Sequence, residues 1–315
     1  MISQRSNAVA PLRVDIAVCT FRRPQLAETL RSLGRLAVPE GTTLRIIIAD
    51  NDVTPSAEPL VERLRGEIPF ALHYVHCPAG NISIARNACL DSADADFLAF
   101  LDDDEVASEL WLVNLLNAAE ATGAEVVLGP VKAVYLSSAP EWMRNGDFHS
   151  TMPVWVRGEI RTGYTCNTLL RPDAPSLRGR RFNLALGRTG GEDTEFFTHM
   201  HEAGGRIAFA EEAWLDDPVP ENRASFGWLA KRRFRVGQTH GRLLAEGASA
   251  LKRPASVALA AAKATVCFVS GAVFALSPIT RNRFLLRGVM HTGVVAGLLG
   301  AREIRQYGAL EAASS

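Results

Sequence analysis

The chain reads as an α/β protein built on a mainly parallel sheet with helices on both faces. Three observations predict this class. Short apolar runs alternate with helical stretches from residue 13 onward, the runs are nearly continuous in aliphatic or aromatic residues, and polar residues gather where three of them end. At 315 residues the chain can hold one large α/β domain with an appendage, or two domains of ordinary size.

Residues 13–20 form the first strand, with Val14, Ile16 and Val18 alternating, and Pro24 opens an amphipathic helix to about Leu36. Residues 44–49 give a second strand that closes on Asp50, Asn51 and Asp52. A helix over 57–66, a strand over 71–76 and a helix over 84–93 continue the alternation. The next strand, from Phe97, runs straight into Asp102, Asp103, Asp104 and Glu105. A helix from Trp111 to about Thr122 leads into a strand over 125–128. Residues 140–163, rich in Trp, Pro, Gly and charge, read as loops and short strands beside a cleft. Gly190 and Gly191 precede Glu192, Asp193 and Glu195, a loop followed by an acidic helix start.

The polar residues at strand ends are Thr20, Phe21 and Arg22 after the first strand, Asp50 and Asn51 after the second, and Asp102 to Asp104 after the acidic one. Open α/β sheets bind ligands at such carboxyl ends. Adjacent carboxylates call for a positive partner, and Mg2+ or Mn2+ often bridges one or two carboxylates to a diphosphate. An acidic helix N-terminus is the other reading of the same residues. P-loop and dinucleotide-binding glycine patterns are missing.

Five pieces now stand in order: Val-Cys-Thr-Phe-Arg-Arg, Ala-Asp-Asn, Gly-Asn-Ile-Ser-Ile-Ala-Arg-Asn, Leu-Asp-Asp-Asp-Glu with its Asp-x-Asp element, and Gly-Gly-Glu-Asp-Thr-Glu-Phe-Phe. Together they resemble family-2 inverting glycosyltransferases of the GT-A fold over residues 13–241, and look closest to bacterial enzymes of succinoglycan-type exopolysaccharide synthesis. The resemblance implies a donor-nucleotide pocket of Thr20, Phe21, Arg22, Asp50, Asn51, Arg86, Asp102 and Asp103. In it Asp50 hydrogen-bonds the base, Arg86 lies near base or diphosphate, and Asp102 approaches the ribose. Asp104 matches the metal ligand and Asp193 the catalytic base. Asn167, Glu192, Arg233 and His240 are expected to face acceptor or phosphate. The bland alternatives are a capping Thr20, an Asp50 that ends its strand at a turn, and an Arg86 paired with a surface carboxylate.

The implied reaction moves a hexose from a UDP-sugar to a lipid-linked or polysaccharide acceptor with Mn2+ or Mg2+ as cofactor. Its chemistry accounts for the residue types: a cation compensates the leaving diphosphate, and a free carboxylate takes the acceptor proton. Two departures from the family pattern stand out. Asp216 and Asp217, with His240 further on, occupy the region where many relatives place a metal-binding histidine, and the Gln-x-x-Arg-Trp element of processive synthases is missing, which predicts one sugar per encounter. The rival readings are a nucleotidyltransferase, whose glycine-rich signature the first strand lacks, and a non-catalytic sugar-nucleotide scaffold.

Lys and Arg total 34 against 34 Asp and Glu, so no global field draws nucleic acid. Five cysteines without CxxC spacing suit a reduced compartment, and the first residues carry no sustained apolar run of a secretory leader. The transferase domain is expected over 13–245, on the cytoplasmic side. A second, helical segment is expected over 250–305, with apolar runs at 256–276 and 284–299. Lys252, Arg253, Arg281, Arg283, Arg302 and Arg305 flank these runs. Positive charge at every end suits helices lying in the membrane interface; a spanning hairpin and a buried helical pair are the alternatives.

Overall fold

The computed structural model describes residues 11–247 and 253–302. The leader reading at residues 1–10 and the flanking Lys252 and Arg305 lie outside the described residues. In chain order the elements begin with β1 (Leu12–Thr20), α1 (Leu26–Leu33), β2 (Thr42–Asp50), α2 (Glu58–Leu64), β3 (Ala71–His76) and α3 (Ile82–Ser92). They continue with β4 (Phe97–Asp102), β5 (Val106–Ala107), α4 (Trp111–Thr122), β6 (Val126–Leu128), β7 (Val131–Tyr135), α5 (Glu141–Gly146), β8 (Trp155–Val156), β9 (Glu159–Ile160) and β10 (Asn167–Leu170). Last come α6 (Glu192–Glu202), β11 (Ile207–Phe209), β12 (Leu215–Val219), α7 (Phe226–Gly247), α8 (Arg253–Val273) and α9 (Pro278–Leu298).

Two compact units form, each from discontinuous stretches. The first holds the chain to Pro130 with Met152–Phe182 and Phe196–Leu215; the second holds Val131–Thr151, Asn183–Glu195 and the chain from Asp216 on. α7 and the loop before α6 fall in the same unit as α8 and α9.

The first unit is a seven-stranded sheet in the order β11-β6-β10-β4-β1-β2-β3. β1 pairs in parallel with β2 and β4, and β2 with β3, while β10 runs antiparallel between β4 and β6. The register sets Thr20 beside Asp50 and Cys19 beside Asp102, which lines up the carboxyl ends of β1, β2 and β4. Ile16, Ala17, Val18, Ile46, Ile47, Ile48, Leu98 and Ala99 are fully buried, as a parallel sheet covered on both faces requires. Each large aliphatic side chain among them contributes roughly 1.5–3 kcal/mol by leaving water. One short helix departs from the expected loops and short strands: α5 lies within 140–163. β10 is only four residues long and lies between β4 and β6.

In the second unit α7 and α9 run parallel and touch backbone to backbone. A Cβ added at Gly237 would overlap the Met290 carbonyl oxygen and crowd the Gly293 Cα; one at Gly241 would overlap the Val294 carbonyl and crowd the Gly297 Cα. Glycine at these four positions is what allows the approach. α8 packs on α9 through buried Ala260, Ala264, Cys267 and Gly271, and Phe274 stacks on Phe284 at 5.6 Å. Its other side leaves Leu259, Val266, Val269 and Val273 exposed. Among the described residues, α8 alone is long and apolar enough to cross a membrane. α9 carries Arg281, Arg283 and Arg287, and it lies against basic α7.

Candidate active site

Beyond β1 the chain turns at Arg22, whose φ of 53° lies in the left-handed region that non-glycine residues rarely enter. The turn brings Arg22 Nε to Asp52 Oδ2 at 2.8 Å and leaves its guanidinium 5.5 Å from the Phe21 ring. Asp52 also accepts the N–H of Val53 and the hydroxyl of Thr54. The Arg22 hydrogen bond above all holds this buried carboxyl down at about 2. Asp52 is thus the partner that orders the Phe21–Arg22 surface, a role its sequence position alone did not disclose.

Asp50 and Asn51 are buried and hydrogen-bonded to the loops around them. The fully buried Asp50 accepts the N–H of Asp52 through Oδ1, and the N–H of Ala57 and the Tyr74 hydroxyl through Oδ2. Asn51 accepts the Asn81 N–H and donates Nδ2–H to the Asn81 carbonyl. Asn81 in turn caps α3 by accepting the Ser83 N–H. These polar atoms serve the loop backbone, so both residues brace the site from beneath. Arg86, on α3, is 6% exposed with its guanidinium 5.6 Å from the Phe182 ring. Asn167 is fully buried, donates to the carbonyls of Pro130 and Ala213, and accepts Trp111 Nε1–H at 2.8 Å. With its polar atoms bonded inside the fold, it has no surface for an acceptor.

β4 ends at Asp102, whose N–H donates to the Glu105 carboxylate at 2.8 Å and closes the acidic turn. Arg23 stands 3.8 Å from Asp103 Oδ1 and 3.8 Å from Asp104 Oδ2. Burial first, then Asp104, push the Asp103 carboxyl up to about 7, against the downward pull of Thr20 and Arg23. Among the described residues no group of three His, Cys, Asp or Glu is placed to hold a metal. A hard cation held by one or two carboxylates, with phosphate oxygens and water completing its shell, needs no such group. Asp104, the more accessible of the pair, fits that arrangement.

In the second unit Gly190 and Gly191 have φ of 89° and 90°, and a Cβ at Gly191 would overlap the Thr239 side chain of α7. Arg235 donates to the Thr189 carbonyl at 3.1 Å, and Arg242 pairs with Glu195 at 3.5 Å, so one face of α7 holds this loop. Glu195 also accepts from Asn183 at 3.2 Å, which gives it the helix-start role read from the sequence. Glu192 is 2% exposed. Asp193 is half-buried, and its Oδ1 accepts the Thr194 N–H at 2.6 Å. Among the described residues its Oδ2 accepts no hydrogen bond. One oxygen oriented by backbone and one open is an arrangement suited to taking a proton. Arg233, half-buried, and His240, exposed, lie on a different side of α7.

The profile of the family described as Glycosyl transferase family 2 matches residues 15–176, about half the chain. The chain belongs to glycosyl transferase family 2. This member is 64% identical over 304 residues to the succinoglycan biosynthesis protein ExoM of Rhizobium meliloti (strain 1021), covering 96% of this chain and 98% of that one. It is 24% identical over 256 residues to the glucosyl-dolichyl phosphate glucuronosyltransferase of Haloferax volcanii, covering 72% and 75%. Among solved structures it resembles S. aureus TarS 1-349 in complex with UDP-GlcNAc, with a TM-score of 0.53 and 16% identity over 92% of this chain and 93% of that one. The mannosyltransferase PcManGT from Pyrobaculum calidifontis, in complex with GDP-Man and Mn2+, gives a TM-score of 0.61 and 18% identity over 94% and 91%. The family-2 protein is a glycosyltransferase with the GT-A fold, which sets aside the nucleotidyltransferase reading.

Proposed function

We propose that this family-2 glycosyltransferase moves a hexose, with inversion, from a UDP-sugar to a lipid-linked acceptor in exopolysaccharide synthesis, with Mn2+ or Mg2+ as cofactor. The observation that carries the reading is the acidic turn of Asp102, Asp103 and Asp104 at the sheet's carboxyl edge, where Asp102 stands beside Cys19 and Asp50 beside Thr20. The relatives agree with it in kind. ExoM takes part in succinoglycan biosynthesis, the Haloferax enzyme is named for a glucosyl-dolichyl phosphate, TarS binds UDP-GlcNAc, and PcManGT binds GDP-Man with Mn2+.

In this reading Phe21 offers a ring face to the base, and Arg22, fixed by Asp52, keeps that loop in place. Asp104 holds the divalent ion, with Asp103 and Asp102 beside it. When bound, the ion compensates the negative charge that grows on the departing diphosphate. Asp193 Oδ2 accepts the proton of the acceptor hydroxyl as that oxygen attacks the anomeric carbon. The protein works at the cytoplasmic membrane surface. There α8 lies in the interface, and α9, seated on charged α7, does not span. A panel of UDP- and GDP-sugars, incubated with a lipid-phosphate-linked sugar with and without Mn2+, tests the proposal. A metal-dependent product of inverted anomeric configuration from a UDP-hexose is expected. Turnover with GDP-sugars alone, or undiminished by chelator, would refute the donor or the metal assignment respectively.

A further inference from the structure

The seam between α7, α8 and α9 carries cations for which the proposed chemistry has no use. The parallel register of α7 and α9, fixed by Gly237 at Gly293 and Gly241 at Gly297, groups Arg233 and His240 with Arg287 and His291. α8 runs the other way, with Ala260 clustered with Val294 and Phe268 against Gly288, and brings Lys263 to both histidines. Arg233 is half-buried, and the charges nearest it are Arg232 and Arg287, both positive. α8 and α9 contain no acidic residue, and Glu246, the one acid of α7, is bonded to Arg242 at 2.7 Å. Among the described residues Arg233, Lys263 and Arg287 pair with no carboxylate. Arg233 is half-buried while Lys263, Arg287 and His240 are exposed, so these like charges crowd the surface of the seam, where a bound anion would offset their repulsion. Burial, then Arg232 and Arg287, hold the Arg233 guanidinium below its ordinary value.

The surface beside these cations is apolar. Leu259, Lys263 and Val266 follow one another at i, i+4 and i+7 on α8, so Lys263 stands within the exposed apolar stripe. A ligand that satisfies both features is an amphiphile with a phosphate head. We propose that Lys263, Arg287 and Arg233 bind the phosphate group of the lipid-linked acceptor, whose lipid chain lies along the outer face of α8. The proposal rests on the lipid-linked acceptor of the preceding reading and gives it a location. Three unpaired cations match a diphosphate better than the single charge of a bulk lipid headgroup. The opposite face of α7 holds the Asp193 loop through Arg235, Thr239 and Arg242, so one helix links the phosphate grip to the base.

The test uses the full chain and the double variant Lys263→Gln/Arg287→Gln. Binding is titrated against phosphatidylcholine nanodiscs carrying geranylgeranyl diphosphate, against discs carrying phosphatidylglycerol at equal total charge, and against inorganic pyrophosphate alone. The wild type is expected to prefer the diphosphate discs, and the double variant to bind them roughly a hundredfold more weakly, about tenfold per charged contact. The charge-preserving Lys263→Arg/Arg287→Lys variant should restore most of the affinity, which separates the effect from misfolding. Equal binding to phosphatidylglycerol discs would assign the seam to bulk lipid and overturn the proposal. So would pyrophosphate binding as tightly as the lipid, or a double variant that binds like the wild type. A wild type that binds the diphosphate discs yet transfers to no lipid-linked acceptor would leave the seam standing and sink the functional reading instead.

Discussion

The carboxylates of the acidic turn and of the α6 start have separable tasks, and substitution at each reads out a different one. Asp104→Ala is expected to abolish the metal-dependent part of UDP affinity, because the diphosphate loses its protein-held cation; calorimetric titration of UDP with and without Mn2+ measures it. Asp193→Asn is expected to lower transfer by about 10² to 10⁴ while leaving UDP affinity intact, since an amide cannot accept the acceptor proton. Parallel loss of UDP affinity would show that Asp193 serves donor binding. Asp103 gives a pH signature. Its folded value near 7, against an unfolded value near 4, means that ionisation costs stability as pH rises between those values, on the order of 1–4 kcal/mol. Metal-free Asp103→Asn should therefore melt higher than the wild type at pH 8, with the gain vanishing near pH 4. A pH-independent difference in melting temperature would count against the burial argument. The acidic helix start and the glycine pair before it were legible because the whole signal is local. Asp52 and Tyr74 were not, since their importance depends on partners brought in by folding, such as Arg22 thirty positions before Asp52. The partners of Asn167 were likewise out of sight, since they come from Trp111, Pro130 and Ala213.

Among the elements, the parallel strands announced themselves through continuous aliphatic runs, and β3 and α4 fall at their expected bounds. β10 hid because four residues opening on Asn and Thr resemble a loop, and its place in the sheet is set by neighbours distant in sequence. The glycine spacing of α7 and α9 is visible in the sequence, yet nothing local says that the two spacings face each other. This contact inverts an ordinary rule. Gly→Ala inside a helix stabilises by up to about 1 kcal/mol through propensity, and Gly227→Ala, with nothing near its would-be Cβ, should follow it. Gly237→Ala should instead destabilise by roughly 1–3 kcal/mol, because the added carbon overlaps a backbone carbonyl that cannot swing aside. Urea unfolding of both variants settles the sign, and a stabilised Gly237→Ala protein would disprove the backbone contact.

For the molecule as a whole, a balanced total charge conceals a strong bias along the chain. The three C-terminal helices hold ten Lys or Arg against Glu246 alone, while Lys and Arg equal Asp and Glu over all 315 residues. Joined to the exposed stripe of α8, that bias predicts attachment to anionic bilayers that high salt weakens only in part, since buried apolar area persists when charge is screened. Flotation with phosphatidylglycerol vesicles should carry the protein upward, and Val266→Glu/Val269→Glu should leave it at the bottom. Full-length protein that stays monodisperse without detergent and ignores such vesicles would remove the membrane from the account. Composition hinted at this attachment; the side of the helix pair that faces outward emerged only from the packing.

The paired glycines also fix what kind of movement the tail permits. Two contacts four residues apart on parallel helices act as teeth: sliding α9 along α7 by one residue would drive a side chain into a carbonyl at both points at once. Translation is blocked while rotation about the line of contact is not. Of the movements between these two helices, the packing leaves open a pivot of one on the other and closes a piston stroke of one past the other.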